Sequence, residues 1–116
     1  MRVISQDGTI DVPYDYFSLS VASGKYEDVE VAYIYCYNLS SPNGTKLAEY
    51  STKAKAIKAM KMLIEQYGKL EVMKVLASGT AEYIEKSLAT DKMIKHYNAY
   101  CDMNVFQFPQ DDEIEV

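Results

Sequence analysis

Apolar and polar residues alternate with a period of two over most of the first fifty positions, then recur with a helical period beyond Lys53. In the opening stretch SQDGTIDVPYDYF, Ser5 to Phe17, Asp7-Gly8 is the preferred pair for a two-residue type I′ turn, whose central residues both need positive φ. With that turn, Gln6 faces Thr9, Ser5 faces Ile10 and Val3 faces Val12. Val3, Ile10 and Val12 then share one face of a hairpin, and Ile4, Thr9 and Asp11 the other. Pro13 has no N–H for the ladder and ends the second strand.

Tyr16–Ala22 alternates again, with Phe17, Leu19 and Val21 opposite Ser18 and Ser20, and predicts a half-buried strand that turns at Ser23-Gly24-Lys25. Val29–Tyr37 is β-branched and aromatic throughout and carries the strongest strand signal in the chain. Its faces are Val29, Val31, Tyr33, Tyr35 and Tyr37 against Glu30, Ala32, Ile34 and Cys36. The cluster from Ser40 to Gly44 predicts a loop, and Lys46–Tyr50 a short returning strand. Ser51 or Thr52 then caps a helix. Its apolar stripe is Ala56, Ile57, Met60, Leu63, Ile64 and Tyr67, and its polar side holds Lys53, Lys55, Lys58, Lys61 and Glu65. Gly68 suits the position just past its end.

Further on, Glu71–Ala77 predicts a short helix stopped near Gly79. Thr80 caps another through Leu88, which Asp91–Tyr100 continues with Met93, Ile94 and Tyr97 on one face. Asn104–Pro109 predicts a closing strand, Val105 facing opposite to Phe106 and Phe108. The acidic end, 110–116, is expected to fray. The fold class is therefore α+β: an antiparallel β-sheet, made of the N-terminal hairpin, a meander and the C-terminal strand, with helices packed on one face. Residues 1–109 form one domain on this reading.

The totals narrow the classes. At 116 residues, 48% apolar and 25% charged, the chain is suited to one globular domain and unsuited to wholesale disorder. No apolar run reaches the ~18 residues of a membrane span, and no basic segment followed by an apolar one opens the chain, so the expectation is a cytoplasmic protein. The sequons Asn38-Leu39-Ser40 and Asn43-Gly44-Thr45 are then chance matches. Cys36 and Cys101 are read as reduced thiols, and with His96 they make no zinc spacing.

Charge is unevenly placed. Residues 1–45 carry a net −4, residues 46–69 a net +4, residues 70–109 a net −1 and residues 110–116 a net −4. A basic centre between acidic flanks resembles a self-complementing dipole as much as a docking surface.

Four sets of residues hold candidate chemistry. Around Gly8, Asp7, Thr9 and Asp11 fit the middle of a calcium loop, but its first position falls on Val3 and its twelfth on Tyr14, so the bidentate ligand is missing. Lys53, Lys55, Lys58 and Lys61 span about 200° of helix surface at ~100° per residue and are candidate phosphate contacts. Solvation of an ordinary amphipathic helix explains them as well, and no arginine accompanies them for bidentate contact. Tyr33, Tyr35 and Tyr37 form a row that either faces outward to meet a partner or lies beneath a helix as core. Small Ala32 and Cys36 opposite favour the outward reading. His96, Cys101 and Asp102 are near in sequence, yet five helical positions put His96 and Cys101 about 140° apart, and no oxyanion hole or phosphate loop accompanies them. The expectation is no catalytic residue, no metal and no cofactor. The acidic tail either docks on a basic surface or serves solubility.

MRVISQDGTIDVPY at the start, LAEYSTKAKAIKAMKML in the centre and VFQFPQDDEIEV at the end together resemble small uncharacterised proteins encoded by phages, prophages and related mobile elements of Firmicutes. The three blocks cover about a third of the chain, in the same order. The resemblance implies a setting, the bacterial cytoplasm during phage or prophage gene expression, and supplies no mechanism. The functional expectation is an accessory protein that binds another protein, of host or phage, without covalent chemistry. The alternatives are a nucleic-acid-associated factor using the lysine face and a virion or assembly component, and a homo-oligomer is open.

Overall fold

The computed structural model describes residues 1–85 and 103–115. The expected helix segments within 86–102, with His96, Cys101 and Asp102, lie outside the described residues. In chain order the elements are β1 (Arg2–Ile4), β2 (Asp11–Pro13), a 3-10 turn (Tyr14–Tyr16), β3 (Ser18–Tyr26), β4 (Val29–Asn38), β5 (Ser41–Tyr50), α1 (Lys53–Glu85), β6 (Val105–Gln107) and a second 3-10 turn (Asp111–Glu113). The α+β class holds: antiparallel-rich sheets with a helix packed against them. The strands divide into two three-stranded sheets, ordered β2-β1-β6 and β3-β4-β5. β6 joins β1 in parallel, so the closing strand is not antiparallel as the pattern suggested. A parallel neighbour needs a crossover, and here the whole β3–α1 unit lies between the two strands in sequence.

The first hairpin has the expected register, Val3 opposite Val12, and both are buried. Its loop is built differently from a type I′ turn. Only Gly8 has positive φ, +78°, and the Gly8 N–H donates to the Ser5 carbonyl at 2.9 Å. The Asp7 carboxylate does the rest, accepting from the Ser5 hydroxyl, the Thr9 N–H and the Thr9 hydroxyl. These bonds hold its pKa down at about 2.

The two-residue turn with positive φ at both centres occurs instead at Glu27-Asp28, φ 51° and 64°. Ser23-Gly24-Lys25, expected as a turn, continues β3, pairing with Ala32, Val31 and Glu30. The tight turn matches the strand twist and adds four residue pairs, Lys25 opposite Glu30 among them, which offset the strain of two non-glycine residues there. Of the Ser40–Gly44 stretch, Ser40 stays in the turn and the residues from Ser41 on are strand. β5 is an edge strand, where Pro42 is tolerated, and two register shifts absorb the rest. One makes Leu47 an extra residue, so Leu47 and Ala48 are both buried in succession. The other includes Gly44, φ +80°, against which the Tyr37 ring lies.

Thr52 caps α1, its hydroxyl accepting from the Lys55 N–H at 3.1 Å. The helix does not end at Gly68, and the expected short helix of Glu71–Ala77 is its continuation. At 1.5 Å per residue its 33 residues extend about 50 Å. Ala56, Ala59 and Leu63 are its contribution to the core, and Leu70, beyond the glycine, is buried as well. Ile57 and Ile64, expected on that stripe, are exposed. The reason is steric: two alanines let the helix sit close to Ala32, Ile34 and Cys36, and its packing face turns toward them.

Residues 110–115 of the tail are packed against the domain, not frayed. Ile114 is buried with Phe106 and Phe108, whose rings meet edge to face at 5.3 Å. Tyr50 donates to the Pro109 carbonyl at 2.8 Å, and the Gln110 side-chain amide donates to the Gln6 carbonyl at 2.7 Å.

Candidate functional site

Alternation along β4 sends Ala32, Ile34 and Cys36 to the helix side, where all three are buried. Tyr33, Tyr35 and Tyr37 consequently stand on the opposite face of the β3-β4-β5 sheet, half-buried by one another and by their neighbours. Their rings follow in sequence at centroid distances of 5.9 and 6.3 Å, tilted by 49° and 42°. Among the described residues, no helix covers the tyrosine side of this sheet.

What flanks the row was not singled out from the sequence. On β3 the residues opposite Tyr37, Tyr35 and Tyr33 are Ser18, Ser20 and Ala22. All three are small and exposed, so the ring edges on that side stand above a low shelf. The signal was present in the Ser18/Ser20 alternation, but its relation to the tyrosines needed the hairpin register, which the displaced turn had hidden. On the β5 side Tyr33 faces Glu49 and Tyr35 faces Lys46. The Lys46 ammonium lies 5.4 Å from the Tyr33 ring centroid and 3.8 Å from the Glu49 carboxylate. Lys46, a cation beside the row, thus has an anion with it.

The lysine face is divided. Lys55, half-buried, donates to the Asp111 carbonyl at 3.0 Å and to its carboxylate at 3.2 Å. Lys58 donates to the Glu115 carbonyl. Lys53 and Lys61 are exposed, and the Lys53 N–H is capped by the Glu30 carboxylate. The Asp111 carboxylate also accepts from the Ser51 N–H and hydroxyl, and these bonds, the Ser51 N–H foremost and then Lys55, hold its pKa down. The acidic tail therefore folds back onto the basic helix start, and two of the four candidate phosphate contacts are engaged within the chain.

Among the described residues no group of three or more His, Cys, Asp or Glu side chains is placed to hold a metal ion. The Asp7 carboxylate, nearest to a calcium ligand in sequence, is turned onto its own loop. Cys36 is a free thiol whose pKa burial pushes up, away from the reactive thiolate. No helix among the described residues is long and apolar enough to cross a membrane. Comparison of the chain with protein-family models, with curated proteins and with solved structures finds no match.

Proposed function

We propose that this protein is a non-covalent binding module, an accessory protein of phage or prophage type, that docks a segment of a host or phage protein on the Tyr33–Tyr35–Tyr37 row in the bacterial cytoplasm. The observation that carries this reading is the row itself: three consecutive rings on the sheet face away from the helix, above the shelf of Ser18, Ser20 and Ala22. Tyrosine supplies a large amphipathic contact at low entropic cost, and it is enriched in protein interfaces. A polypeptide fits better than a nucleic acid because the nearby cation, Lys46, is accompanied by Glu49, and Lys55 and Lys58 are held by the tail. Phosphates would find little uncompensated positive charge beside the rings.

The test is affinity capture from host cells with the tagged full chain, with and without nuclease, followed by binding of the purified catch. The expected result is a stoichiometric protein that survives nuclease. Tyr33→Ser with Tyr35→Ser should lose it with circular dichroism unchanged, and Lys61→Glu should retain it. Capture that disappears with nuclease, or that is indifferent to the tyrosine substitutions, sinks the reading.

A further inference from the structure

From the outer edge of β3 we infer that two copies of this chain associate by antiparallel β3–β3 pairing into a continuous six-stranded sheet. β3 is the terminal strand of its sheet. The opposite edge, β5, is bridged: the Gln6 N–H donates to the Leu47 carbonyl, and the Gln6 side chain accepts from the Glu49 N–H. Among the described residues, no residue from Ser18 to Tyr26 makes a backbone hydrogen bond beyond its ladder with β4. An edge leaves a row of N–H and C=O groups ready for another strand, and soluble proteins blunt such edges with proline, charge, bulges or a cover. β3 has no proline, its register with β4 is unbroken from Ser18↔Tyr37 to Tyr26↔Val29, and its one charged residue is Lys25.

The strand is suited to its own copy. Full antiparallel overlap of the nine residues puts Ala22 on the two-fold axis and sets Ser20 opposite Gly24, Leu19 opposite Lys25 and Ser18 opposite Tyr26 of the second copy. The Glu27-Asp28 turns then lie at opposite ends of the joint, and the two Lys25 side chains are kept apart. Parallel pairing would set like charges side by side. Tyr26, 74% exposed, would lie across Ser18 of the second copy, toward the Tyr37 that Ser18 pairs with. The two tyrosine rows would then face the same side, three strand spacings or about 14 Å apart, with Ser18, Ser20, Ala22 and Gly24 of both copies as the floor between them.

The experiment needs only the purified full chain and is therefore independent of any partner for the tyrosines. Sedimentation velocity from low to several hundred micromolar should show a reversible monomer–dimer equilibrium. Hydrogen exchange of β3 amides should slow as concentration rises. Ala22→Lys and Ala22→Glu, at an exposed position, should each weaken the dimer at least tenfold by facing like charges across the axis, and an equimolar mixture of the two should restore it. A monomer at every concentration overturns the inference. So does a dimer that neither substitution weakens, or β3 protection that arises only when a foreign strand-forming peptide is added.

Discussion

Replacing Gly68 with alanine separates two descriptions of the helix by sign. If the helix stopped there with Gly68 in the left-handed region, alanine would lose about 1 kcal/mol to the Cβ clash of that conformation. In the structure Gly68 is exposed within α1, does not have positive φ, and an added Cβ meets nothing within 4 Å. Alanine then gains the helix-propensity difference, about 0.8–1 kcal/mol, chiefly by lowering the entropy of the unfolded chain. For 116 residues an unfolding entropy of about 0.24 kcal/mol/K converts this into a rise in Tm of about 4 °C. Thermal and urea melts followed by far-UV circular dichroism would read it, with the urea slope unchanged. A lower Tm would mean that the helix ends at Gly68. An unchanged Tm would place residue 68 outside the cooperative unit, and either result refutes the continuous helix.

Gly44→Ala should act in the opposite direction, losing more than about 1 kcal/mol, because φ of +80° disfavours a side chain and the new Cβ meets the Tyr37 ring. Urea midpoints would check it, and a neutral result would argue against the bulge. Acidification should destabilise the protein. The pKa values of Asp7, about 2, and of Asp111 lie below those of the unfolded chain, so their contribution is complete above the ordinary carboxylate range near ~3.9 and lost as pH falls through the folded values. Tm should therefore drop as pH is lowered from about 4 toward 2, and Asp7→Asn combined with Asp111→Asn should flatten the slope. An unaltered slope would exclude both carboxylates as its origin.

Local pattern was sufficient wherever one face of an element had a clear choice. Val3 opposite Val12, the two faces of β4, the Thr52 cap and the shared face of Phe106 and Phe108 all follow from alternation or from capping chemistry, each decided within a few residues. The tyrosine row was legible for the same reason. Turns were less so, because Asp7-Gly8 and Ser23-Gly24-Lys25 have the right residues for a reversal, yet strand pairing placed the reversal with two left-handed residues at Glu27-Asp28. Local preference there amounts to a kilocalorie or so, less than four further residue pairs contribute.

Composition and periodicity determined an α+β chain with a strand-rich first half, a capped amphipathic helix and an acidic end. Only tertiary structure decided that the closing strand runs parallel to the first, that α1 continues past Gly68, and that the acidic tail returns to Lys55 and Lys58. The first and the last of these join residues far apart in sequence, where burial of Phe106, Phe108 and Ile114 outweighs what the intervening residues prefer alone. The shelf beside the tyrosines belongs to the same class: its serines are ordinary in sequence and become a surface only when the β3–β4 register lays them against the rings.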